Sequence, residues 1–153
     1  MPAFPAWRGG VLLSVTPPEG SAMIRGVSSA MWVSPHAVAE AQTGLDHTTL
    51  KKVVAVHIAL GNPARGSGLA SSVSGQILQL RKWLGPTGPS QLEGVRNGSA
   101  PLVVHINQAD AIYQLLGLVT EVVPMARLTI FGGAEAHLLA TEIAVANVPV
   151  VLA

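Results

Sequence analysis

The sequence predicts an α/β fold built on parallel strands, and three observations carry that reading. From Pro101 onward, short apolar runs alternate with amphipathic helices through short links, the pattern of parallel strands joined by right-handed crossovers. The chain has 153 residues, enough for one domain but short of the ~250 typical of a closed eight-stranded α/β barrel. Hydrophobic residues make up 49% and charged residues 11%, which is too apolar for disorder and low in charge for an ordinary soluble surface. A very buried fold would account for that balance, and so would a face that packs against further chain.

Taken in order, residues 10–16 (GVLLSVT) form a short apolar run ended by Pro17 and Pro18, which cannot extend a ladder, so a buried strand is expected there. Residues 22–33 are mixed, with Gly26 and two serines, and suit a weak strand followed by a turn. Residues 50–60 (LKKVVAVHIAL) are ambiguous: β-branched content favours a strand, while length and the spacing of Leu50, Val53 and Val54 allow a helix. Residues 61–74 are loop-like by composition. Ile77, Leu78, Leu80 and Leu84 then mark a short helix over 74–84, with Arg81 and Lys82 in its last turn, where the helix dipole favours cations. Residues 85–100, rich in Gly, Pro, Ser and Asn, read as an exposed, flexible connector within a single domain spanning 1–153.

The C-terminal third is sharper. Leu102 to Ile106 is an apolar strand interrupted by His105. Asn107 is placed to cap a helix whose apolar face carries Ala109, Ile112, Leu115, Leu116 and Val119. Pro124 ends that helix, Leu128 to Phe131 is a second strand, and Gly132 and Gly133 make a tight turn. A second helix runs over 134–146, and a third strand runs from Pro149 to Leu152. These three strands should be neighbours in that order, the last one lacking a covering element.

Composition also bounds function. A net charge of +1 leaves no electrostatic footprint for nucleic acid or an anionic membrane. The chain has no cysteine, hence no disulfide, no thiolate metal ligand and no thiol nucleophile. No run approaches the ~18 apolar residues of a membrane span, and residues 1–5 do not resemble a secretory signal. A soluble cytoplasmic protein is the expectation.

Few residues point to chemistry. His105 lies one residue before the carboxyl end of a parallel strand, where ligands of such folds sit, and an imidazole there can ligate a metal or move a proton. A hydrogen-bonded histidine with no chemistry is the commoner case. Gly132 and Gly133, followed by Glu135 and His137, could let a backbone approach a ligand or an anion reach a helix start; plain turn geometry is the favoured explanation, and Glu135 in a first helical turn is expected from the dipole alone. The loop at 61–67 (GNPARGS) has the outer spacing of a phosphate loop but lacks its lysine. His36, His47 and His57 are too irregularly spaced for a metal pair. Asp46 and Asp110 could orient an imidazole, although turn and helix-start roles suit them better.

The stretch from Pro101 to Ile112 (PLVVHINQADAI), continued by residues 128–137 (LTIFGGAEAH), resembles the middle of amidohydrolase-superfamily proteins. The likeness is to imidazolonepropionase-like and related fungal members. Residues 9–17, 20–25, 54–61 and 73–81 are similar to that group in the same order, less specifically. The resemblance implies a partial TIM-type (β/α) barrel and a parent activity of metal-dependent hydrolysis of non-peptide C–N bonds in a small-molecule substrate. A divalent metal such as zinc is the implied cofactor. It makes His105 a candidate metal ligand, matching the family's fifth-strand histidine, and leaves Gly132 and Gly133 as candidate ligand-binding positions. It also exposes gaps. No His-x-His pair precedes Gly10, Asn107 stands where a companion residue is frequent, and Gly132 falls where a sixth-strand histidine is expected, with His137 a helical turn later. One retained ligand cannot hold an ion that activates water, since catalytic zinc uses about three protein ligands. The expectation is therefore an incomplete site with no metal bound by this chain alone and no catalytic residue assigned. Self-association through open sheet edges is expected. The alternative is a non-catalytic α/β module binding a small molecule or anion.

Overall fold

In the computed structural model, residues 3–33, 49–64 and 71–153 are described. His36, Asp46 and His47 lie outside them. A six-stranded curled sheet runs in the order β1 (Leu13–Thr16), β2 (Ile24–Trp32), β3 (Thr49–Ala59), β4 (Leu102–Ile106), β5 (Leu128–Gly132), β6 (Val150–Val151), preceded by a short helix α1 (Ala3–Arg8). The sheet changes character at β3. From β3 to β6 every pair is parallel, whereas β1 with β2 and β2 with β3 are antiparallel. The expected order of the last three strands is observed. The expectation of parallel strands holds from β3 to β6 and fails for the N-terminal ribbon.

The N-terminal ribbon follows from local chemistry. β1 stops at Thr16 because Pro17 and Pro18 supply no ladder donors; it is not the buried strand expected there but an exposed edge strand, since it pairs on one side only. β2 is a full nine-residue strand rather than a weak one, and its pairing with β3 shifts register at Ile24/Gly26 and again near Ala30. Such bulges bend a strand and increase its twist. Residues 50–60 resolve as strand, because Val56 and Ile58 pair with Leu102 and Val104 at the sheet centre, where β-branched side chains fit a pleated surface.

The parallel part is a two-layer structure. In β4, Leu102, Val104 and Ile106 are buried while Val103 and His105 are half-buried, so odd and even positions face different surroundings. The buried set joins Val56, Ile58, Leu128 and Ile130 from the other strands in the core. Two helices supply the other half of that core. α2 (Val73–Leu84) contributes Leu80 and Leu84, and α4 (Ala109–Val122) contributes Ile112, Leu115, Leu116 and Val119. Ser72 caps α2 by accepting from the Gly75 amide at 3.1 Å, and Arg81 in its last turn makes a two-point ion pair with Glu121 of α4 at 2.6 and 2.7 Å.

Two local expectations need correction. Residues 85–100 are not simply an exposed connector: a 3-10 turn (Ser90–Leu92) leads into a short helix, α3 (Glu93–Arg96), and Leu92 and Val95 are fully buried. Arg96 Nη1 donates to the carbonyls of Trp83 and Pro89, each at 3.1 Å. Gly88 is required by space, since a Cβ there would meet the Trp83 carbonyl oxygen at 1.7 Å. Composition signalled a loop correctly but could not show that two apolar side chains anchor it. The second C-terminal helix is also shorter than expected, a 3-10 turn (Ala136–Leu139) followed by α5 (Ala140–Val145).

Candidate functional site

The carboxyl ends of β3 and β4 meet above the core. His105 is level with Ala59 on one side and Phe131 on the other, and the Leu60 amide donates to the His105 carbonyl at 3.0 Å. Because β4 alternates, the His105 ring projects from the surface opposite the buried leucine and valine set. His57 sits two residues before the end of β3, paired in register with Val103, and points to the same surface, where its Nδ1 lies 3.0 Å from His105 Nε2. Arg25 enters from β2 at the bulge, with Nη1 3.2 Å from His105 Nδ1. Phe131 packs on the other side of the His105 ring, the centroids 4.6 Å apart.

These distances determine the proton positions. A guanidinium has no acceptor, so His105 Nδ1 must be unprotonated to receive the Arg25 bond. A neutral imidazole then carries its proton on Nε2, which donates to His57 Nδ1. That leaves the His57 proton on Nε2. The chain of donation runs Arg25 to His105 to His57 and ends on a buried N–H, for His57 Nε2 and Arg25 Nε are both buried and find no partner among the described residues. Both rings are held neutral. Burial and then the Arg25 charge lower the His57 pKa, and burial, Arg25 and His57 together push that of His105 down to about 4.

A divalent metal does not fit this arrangement. Both nitrogens of His105 are engaged, one of them by a cation, and a second positive charge beside the guanidinium would be repelled. Among the described residues no three His, Asp or Glu side chains come together as a ligand set.

Gly132 and Gly133 serve the neighbouring turn. Gly132 has φ +98, and a Cβ there would lie 2.6 Å from Asn107 Oδ1; Gly133 has φ +63 and would meet Val150 Cγ1 at 2.9 Å. The Gly133 amide donates to the Ile106 carbonyl at 2.8 Å, tying β5 to β4. Asn107 does not cap α4: its Oδ1 accepts from the Ala134 amide at 3.3 Å, while Glu135 Oε2 accepts from the Ala109 amide at 2.8 Å. The positive end of α4 is thus met by a carboxylate of the chain itself. Asp110 stands in the first turn of α4, and His137 Nδ1 donates to the Ala134 carbonyl at 3.2 Å.

The structure therefore brings His105 together with two residues that spacing did not single out, His57 and Arg25. The signal for His57 was present: it interrupts an apolar run near its end, as His105 does. It was hidden because residues 50–60 could be read as helix. Just past the end of β3, Gln76 is fully buried and doubly bonded to Gly61, accepting from its amide at 2.6 Å and donating to its carbonyl at 3.2 Å. It fixes the chain as it leaves β3.

No family model matches the chain, and no curated protein matches it in sequence. Among solved structures, an amidohydrolase from Thermotoga maritima MSB8 superposes on 95% of this chain with a TM-score of 0.73 at 18% identity. What is shared is the fold. The chain spans 43% of that protein's length. No helix among the described residues is long and apolar enough to cross a membrane.

Proposed function

We propose that this chain is an amidohydrolase-related portion of a TIM-type barrel that, alone, binds a small anionic molecule and does not perform metal-dependent C–N hydrolysis. The likeness to part of an amidohydrolase supports the fold half of this reading. The functional half rests on one observation: both ring nitrogens of His105, the residue best placed to be a metal ligand, are engaged, one by the guanidinium of Arg25. A donor chain that begins on a cation and ends on an N–H suits an electron-rich ligand, not a Lewis acid.

Reconstitution of the purified chain with zinc tests the proposal. The expected result is zinc well below one equivalent after desalting, unchanged in His105→Ala, with no zinc-dependent release of ammonia or amine from amide and cyclic-amide substrates. One tightly held equivalent that disappears in His105→Ala and accompanies hydrolysis would overturn it.

A further inference from the structure

Among the described residues the Arg25 guanidinium has no counter-ion. The ion pair formed among the described residues is Arg81 with Glu121, and Arg25 makes its side-chain hydrogen bond to a neutral imidazole. Its Nε is buried and unbonded, as is His57 Nε2. A part-buried cation beside two rings that burial keeps neutral is an electrostatically open position, and such charges are ordinarily paired or coordinated.

We propose that Arg25 is the anchor of a carboxylate-binding site on this surface, its unbonded Nε–Nη2 edge taking the ligand carboxylate in a two-point contact once the side chain turns to expose Nε. This rests on the anion-binding reading above and narrows its ligand to a class.

The guanidinium presents five donors in a planar fork. Nη1 is committed to His105, which fixes how the plane can turn and leaves the edge formed by Nε and Nη2. That edge offers two parallel N–H donors at the spacing of the two oxygens of one carboxylate. Nε is hidden from solvent in the present conformation, so binding requires the Arg25 side chain to pivot about its bond to His105. The β2 bulge at this position, with the register shift between Ile24 and Gly26, leaves Arg25 outside the regular ladder. Phe131 against the His105 ring gives the ligand's carbon skeleton an apolar surface.

The experiment is a titration of the uniformly ¹⁵N-labelled 153-residue chain with sodium acetate, with sodium phosphate and sodium chloride as controls at matched ionic strength. The signals followed are Arg25 Nε–H and the ring nitrogens of both histidines. Acetate should shift Arg25 Nε–H saturably, with chloride inert at the same concentration. Arg25→Lys, which keeps the charge but loses the fork, should weaken acetate binding by tenfold or more, and Arg25→Gln should abolish it. A response that is linear in salt, or that survives in Arg25→Gln, would overturn the site. Phosphate binding tenfold more tightly than acetate would overturn the carboxylate assignment. A zinc titration of the same sample separates this from the preceding reading. Zinc that displaces Arg25 and moves both His105 ring nitrogens contradicts the non-metal reading whatever acetate does, whereas silence toward both zinc and acetate removes the carboxylate site alone. Calorimetric titration with acetate gives a second readout for any variant whose spectrum is too broad to follow.

Discussion

Acidification should destabilise the protein through the histidine pair, in a pH window set by His105. Its ring is neutral in the folded state, with a pKa near 4 against an ordinary value of 6.5, because burial, the Arg25 charge from β2 and the His57 ring from β3 all oppose protonation. The unfolded chain therefore binds more protons than the folded one between those two values. Stability is independent of this group above pH 6.5, falls as pH drops toward 4, and levels off below. The full shift corresponds to about 3 kcal/mol at 1.36 kcal/mol per pH unit. The ring is half open to solvent, and screening reduces the expected loss to roughly 1–2 kcal/mol. His57, shifted in the same direction, adds to it. Urea unfolding at pH 7.5, 6.5, 5.5 and 4.5 measures the effect, with His105→Gln as the comparison. The native chain should lose stability over this range by at least 1 kcal/mol more than the variant. Parallel pH profiles for the two proteins would show that His105 does not set this window, because carboxylates elsewhere titrate identically in both.

Four further outcomes follow from the geometry. Gln76→Leu should cost about 2–4 kcal/mol in urea unfolding, since it strands the buried amide and carbonyl of Gly61 that Gln76 satisfies; a cost below 0.5 kcal/mol would contradict the assigned contact. Gly132→Ala, at φ +98 with its Cβ driven onto Asn107, should destabilise by about 1–3 kcal/mol, whereas Gly117→Ala, in helix α4 with open space around it, should stabilise by roughly 0.5–1 kcal/mol. β1 and β6 end the sheet, and Leu13, Val15, Val151 and Leu152 are exposed. Sedimentation at micromolar concentration should therefore show species heavier than the 15.7 kDa chain, reduced by the edge charge of Val15→Lys; a native chain that is monomeric throughout would contradict edge pairing.

Where the chain was legible, the information was local. β4, α4 and β5 stand out because period-two and period-3.6 patterns switch cleanly at Asn107 and Pro124. The final strand follows from its Pro149 boundary. The N-terminal ribbon was less legible for a physical reason. Antiparallel pairing of β2 with β3 is specified by register across a long separation and by bulges, and neither leaves a repeating pattern in residues 22–33. The site suffered most from this. His105 is readable because β4 is short and regular, but His57 gains meaning once residues 50–60 are known to be a strand. Arg25, in a mixed segment, becomes visible when the β2 bulge places it beside both rings. Asn107 and Glu135 show the same limit: each has cap-forming chemistry, and the fold decides which helix end receives which group.

The hydrogen-bond chain runs in one direction, from Arg25 through His105 to His57. Long-range ¹H–¹⁵N correlation spectra of the histidine rings at pH 7 test it directly. His105 should be neutral with Nδ1 bare and Nε2 protonated, and His57 should carry its proton on Nε2 as well. Arg25→Gln should disturb the His105 Nδ1 shift first. A His105 ring protonated on Nδ1, or charged at neutral pH, would contradict the claim, because neither form can accept from the guanidinium.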